Sequence, residues 1–171
     1  MYFADMELCT YHSGPFDAGN WSVPLRAVGW LESPHLFLTG VASHALVSKL
    51  TELAIKTGSR YPHEKFRGLH VCSFCREKGP ATSLTGSHIN VFIPGDDVVY
   101  IAPAGIVHYI ETHSYAPPPE FVAAVLRCPD PSTDDYSQML RNSNRGKDPP
   151  LKVTPECVTS IQTRRAKRAQ D

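Results

Sequence analysis

No stretch of this sequence approaches the roughly 18 consecutive apolar residues that a membrane-spanning helix needs, and no segment recurs at a fixed period. The first absence excludes a bundle of membrane helices, and the second excludes a repeat array. Net charge is missing as well. Lys and Arg together number 17, as do Asp and Glu, so no whole-molecule field draws nucleic acid or anionic lipid. The opening Met1-Tyr-Phe-Ala-Asp-Met-Glu7 has neither a positive n-region nor an apolar run, unlike a secretory signal. Cysteine is scarce and odd in number, at five, which suits thiolate ligands in a reducing compartment better than a disulfide framework. These absences together lead us to expect a soluble cytoplasmic protein.

What remains is a globular composition. The 171 residues are 42% hydrophobic and 20% charged, enough for one domain with a sizeable core. Charge is unevenly spread: from Arg141 onward eight basic residues stand against three acidic, leaving nine against fourteen before it. We therefore expect a mildly acidic folded domain over residues 1–128 and a mostly flexible, basic tail over residues 129–171.

Local patterns give the elements. Residues 1–22 read as an irregular lead-in. Val23, Leu25, Ala27 and Leu31 follow a two-residue period, a half-buried strand that Pro24 pushes to a sheet edge, and His35 to Leu38 reads as a short second strand. Ser43 is placed to cap a helix through Leu46, Leu50, Leu53 and Ala54, with Gly58 as its C-cap. A strand is expected at Leu69 to Cys72 and a surface loop at Lys78 to Gly86. Ile89, Val91 and Ile93 alternate, Pro94-Gly-Asp-Asp97 turns, and Val98 to Ala102 returns as a hairpin. Pro103 fits the first turn of a helix reaching His113, which Pro117-Pro-Pro119 stops. A last helix, Glu120 to Arg127, offers Phe121, Val122, Val125 and Leu126 to the core, and Tyr136, Met139 and Leu140 make at most one further helical turn. The expected fold class is α+β: a small antiparallel sheet with packed helices.

The chemistry sits in two motifs. Cys72-Ser-Phe-Cys75 is a Cys-x2-Cys turn, and His108-Tyr-Ile-Glu-Thr-His113 is a His-x4-His segment. Two thiolates and two imidazoles are the set that a four-coordinate structural Zn2+ accepts. On a regular helix, five residues leave the two imidazoles about 140° apart, so the reading requires the last turn to tighten or unwind at His113. His70 is the substitute ligand; if it binds, one of the downstream histidines becomes its outer partner. A redox dithiol and plain packing are the alternatives for the cysteines. Cys9, His12, Cys128 and Cys157 lack ligand spacing, and His63 and His88 have no visible partner. The succession of knuckle, hairpin and ligand-bearing helix resembles treble-clef zinc domains in outline, although those take their second ligand pair from the helix's first turn.

Gly68, His70, Cys72 and Cys75, followed by Tyr100, Ala102, Pro103, His108, Tyr109, His113, Tyr115, Pro117 and Pro118, are similar to the motifs of a family of uncharacterised bacterial proteins. The resemblance takes in Arg26-Ala-Val-Gly-Trp-Leu31 and runs over roughly the first 126 residues. It implies one shared domain and brings no activity with it.

Three functions follow as expectations. The first is a zinc-stabilised, zinc-finger-like module that binds a protein partner through exposed aromatics such as Tyr2, Tyr11, Trp21 or Tyr115. The second is a zinc hydrolase or deaminase-like enzyme with an open metal position and Glu111 as acid/base; against it, the deaminase order of His-x-Glu before Pro-Cys-x-x-Cys is reversed here. The third is nucleic-acid binding through Arg164-Arg-Ala-Lys-Arg168.

Overall fold

In the computed structural model, residues 1–11, 21–61, 64–65, 70–75 and 88–151 are described. Expectations for His12, His63, Gly68, Leu69, residues 78–86, Cys157 and Arg164 to Arg168 lie outside them. The described elements are strand β1 (Leu25–Ala27), helix α1 (His44–Arg60), strands β2 (Asn90–Pro94) and β3 (Val99–Pro103), and helices α2 (Ile106–His113), α3 (Pro119–Arg127) and α4 (Asp134–Ser143). None of these helices is long and apolar enough to cross a membrane.

The class is α+β, but the sheet is mixed. β2 and β3 form the expected antiparallel hairpin, with Phe92 opposite Ile101, while β1 joins β3 in parallel, with Arg26 opposite Tyr100. The order β1-β3-β2 puts the hairpin's return strand in the centre. Parallel pairing needs a long crossover, and the chain between β1 and β2, which includes α1, supplies it. The expected alternation gives way to complete burial along β2, because the sheet is covered on both faces.

Both outer edges of the sheet are occupied. Along β1 the N-terminal segment runs antiparallel, Leu8 opposite Arg26, with Cys9 N–H donating to Leu25 and Met6 N–H to Ala27. Along β2, the Tyr136 hydroxyl donates to the Phe92 carbonyl at 2.8 Å and the Ser143 hydroxyl to that of Gly95 at 2.6 Å. Those two donors belong to α4, a ten-residue helix where a single turn was expected. Tyr136 and Leu140 are fully buried, so the packed body continues past Cys128.

Several expected boundaries move. Ser43 caps α1 as foreseen, its hydroxyl accepting from Leu46 N–H, but the helix runs through Gly58 to a C-cap at Tyr61. The reason is Arg60, whose buried guanidinium donates to the Tyr61 hydroxyl, the Pro131 carbonyl and Ser137, holding the extra turn in place. Pro103 ends β3 opposite Asn90 instead of opening a helix. His35 to Leu38 forms no strand; the pairing falls one residue later, as a single bridge between Thr39 and Tyr115. Leu126 faces outward while Phe121, Ala124 and Val125 fill the core.

One glycine fixes where α2 can sit. Gly29 has φ +72°, and a Cβ there would lie 2.7 Å from Ile106 Cγ1, at the helix's first residue.

Candidate metal centre

The first half of the centre is a tight turn. Cys75 N–H donates to the Cys72 carbonyl at 3.2 Å, and Ser73 Oγ accepts from Ser33 N–H at 2.8 Å, pinning the turn to the chain that follows β1. Both cysteines are buried. The second half is α2, which turns Ile106, Tyr109 and Ile110 into the core and leaves His108 and His113 half-buried at its two ends.

The helix ends where the second ligand stands. His113 is its last residue; Ser114 takes a left-handed conformation at φ 54°, and Ser114 N–H donates to the carbonyl of Tyr109, five residues back. The His108 and His113 rings meet at this end of the helix. Their centroids are 5.3 Å apart.

The four donor atoms converge. His113 Nε2 lies 3.3 Å from Cys72 Sγ and 3.2 Å from Cys75 Sγ, and His108 Nε2 lies 3.5 Å from Cys75 Sγ. All four ligand atoms are within 4.8 Å of one another. A tetrahedron with metal–sulfur bonds of about 2.3 Å and metal–nitrogen bonds of about 2.0 Å has sulfur–nitrogen edges of about 3.5 Å. The residues fit a metal ion.

Their electrostatics point the same way. Burial pushes the Cys72 thiol up, against the N–H groups of Phe74 and Cys75 that aim at its sulfur, and burial pushes the His108 imidazole down. Without a cation both shifts favour the neutral forms, the thiol of Cys72 and the imidazole of His108. A divalent ion with two thiolates is also neutral overall, a form that a buried site tolerates. His108 Nδ1 faces Thr112 Oγ1 at 3.4 Å; donating there leaves the Nε2 lone pair directed at the sulfurs.

His70 is not one of the four. Its Nε2 lies 3.3 Å from the Tyr109 hydroxyl, which itself donates to the Leu31 carbonyl at 3.1 Å. Tyr109 is buried beside both ligand rings, and His70, exposed, meets its hydroxyl outside the converging set. Glu111 is exposed on α2 and outside the converging set. Cys9 and Cys128 are buried singly elsewhere in the core, the Cys128 thiol pushed up to about 12 by burial. His88 is exposed beyond the centre.

Tyr115 is corrected from exposed aromatic to core residue. It is fully buried, and its hydroxyl donates to Asp5 Oδ1 at 2.7 Å while Gly29 N–H donates to the same oxygen at 3.0 Å. Sequence reading missed Asp5, which has no local signal, and Thr112, which has one: it stands four residues after His108, on the same helix face. It also missed Phe74, between the cysteines, whose ring packs edge-on against Phe37 at 5.3 Å and tilted against His113 at 5.5 Å.

Fold and site together define a small α+β domain whose knuckle and short helix bring a Cys2His2 cluster into metal-binding geometry. The chain belongs to the family described as a domain of unknown function, DUF7919, whose model matches residues 1–126. That span contains the whole cluster and ends within α3. No curated protein and no solved structure matches the chain.

Proposed function

We propose that this protein is a zinc-stabilised interaction module, with Zn2+ held by Cys72, Cys75, His108 and His113 as a structural ion. One observation carries the reading: four protein donors lie within 4.8 Å of one another, with three of their sulfur–nitrogen separations at 3.2 to 3.5 Å, close to a tetrahedron's edges. A sphere closed by protein ligands contributes folding energy and offers a substrate no open position. The mixed S2N2 set favours zinc over the hard cations, which take oxygen ligands. The ion ties the turn near β1 to the far end of α2, two segments 33 residues apart at their nearest ligands.

Elemental analysis and the visible spectrum of the cobalt-substituted protein test this. One equivalent of metal, tetrahedral bands and thiolate charge-transfer intensity for two sulfurs are expected. A ligand field requiring exchangeable water in the first sphere would sink the structural assignment and favour the enzyme reading; no bound metal would sink both.

A further inference from the structure

Next to the metal centre the chain leaves one extended edge open. Phe37 packs edge-on against Phe74 and Tyr115, while Leu36 is 95% exposed, Leu38 75% and Val41 104%. The segment is held from one side alone among the described residues: Gly40 N–H donates to the Ser114 carbonyl at 2.8 Å and Ala116 N–H to that of Leu38 at 2.9 Å. These bonds flank the Thr39–Tyr115 bridge, so Thr39 is in a non-hydrogen-bonded pair and its own N–H and C=O point away from Tyr115. From Ser33 to Ser43 there is no Lys, Arg, Asp or Glu. Exposed edges ordinarily carry charge, proline or a bulge that blocks pairing, and the stretch from Phe37 to Ala42 has neither charge nor proline.

We propose that Leu36 to Ala42 pairs antiparallel with the same segment of a second copy of this chain, about a two-fold axis at Thr39. The sequence is self-complementary about that point. With Thr39 opposite Thr39, Leu38 faces Gly40 and Leu36 faces Ala42 on one face, where each large side chain meets a small one; on the other face Phe37 meets Val41 as an apolar pair, and no position meets a like charge. The outward groups of Thr39 make the central hydrogen-bonded pair. Leu36, Leu38 and Val41 leave most of their side-chain surface in water, on both faces of the segment, surface that pairing would cover. The paired main chain and the exposed Ser33, Pro34, His35 and Ser43 bring each side toward the ~800 Å² of a standard interface. The pairing goes beyond the zinc reading and holds whichever ion the centre takes.

Sedimentation equilibrium of the full chain at micromolar concentration is expected to show a dimer. Leu38→Lys places two ammonium groups across the axis and should weaken it at least about 10-fold, while the monomer stays folded with the wild type's far-UV spectrum because Leu38 is 75% exposed. Residues in a hydrogen-bonded pair have Cα atoms about 5.5 Å apart, inside disulfide range. Thr39→Cys should therefore cross-link two copies on mild oxidation, and Ala123→Cys, on the exposed side of α3, should not. A monomeric chain, a Leu38→Lys protein that stays dimeric, or equal cross-linking at the two positions would overturn the proposal. So would a monomer that sediments with phosphatidylcholine vesicles, which would assign the patch to a lipid surface. Metal content measured on the same samples keeps these outcomes separate from the fate of the zinc assignment.

Discussion

Removing the metal should cost this domain most of its stability. Structural zinc sites have apparent binding free energies of about 10 to 16 kcal/mol, or dissociation constants of roughly 10⁻⁸ to 10⁻¹² M. Binding confined to the folded state then contributes about 4 to 9 kcal/mol at ~10 µM free zinc, against a typical total of about 5 to 15 kcal/mol. On the proposed zinc reading this protein falls within that range, because the four donors are already gathered within 4.8 Å and the sulfurs are buried. For a body of ~150 residues, each kcal/mol moves the melting temperature by about 3 °C, so chelation should lower it by roughly 10 to 25 °C. Cys75→Ala should reproduce most of that loss, since its sulfur is the one that approaches both histidine rings, at 3.2 and 3.5 Å. Thermal denaturation of the wild type and Cys75→Ala, each with zinc and with EDTA, measures both quantities. Identical melting temperatures in all four samples would refute the reasoning, and the fold would have to be explained by packing alone.

Three further outcomes are expected. Gly29→Ala forces a side chain into φ +72° and against Ile106 Cγ1 at 2.7 Å, which should cost about 2 to 4 kcal/mol in urea denaturation; a neutral result would mean α2 is free to shift. Leu140→Ala should cost about 2 to 5 kcal/mol as a fully buried truncation, and an unchanged unfolding midpoint would detach α4 from the body. In EDTA, stability should be highest above about pH 6.5 and fall on acidification. Burial holds the His70 and His108 imidazoles below their ordinary value, so the unfolded chain takes up protons first and the stabilisation drains as pH drops through the lowered folded values. Urea midpoints that rise from pH 7 to pH 5 would contradict this.

The parts of the fold legible in the sequence are those set by local chemistry. Ser43 and the leucines of α1 mark its start and inner face because capping and helical spacing act within a few residues. The β2–β3 hairpin follows from alternating apolar residues around Pro94-Gly-Asp-Asp97, and the metal donors from the softness of two thiolates and two imidazoles at ligand spacing. Where local rules allowed two outcomes, the neighbours decided. Gly58 could end α1, but buried Arg60 finds its partners around Pro131 and Ser137, so the helix continues. Pro103 could open a helix, but it completes the register with Asn90.

The sequence by itself determined which atoms can hold a metal and which segments turn, curl or extend, because those properties belong to residue types and to spacings of a few residues. Only the tertiary structure decided that β1 lies parallel beside β3, that Asp5 receives the Tyr115 hydroxyl, that His70 bonds Tyr109 and stays out of the ligand set, and that α4 seals the outer edge of β2. Each of these joins groups 39 to 110 residues apart, and pairings at such distances are selected by the burial of the whole core, which no local pattern encodes.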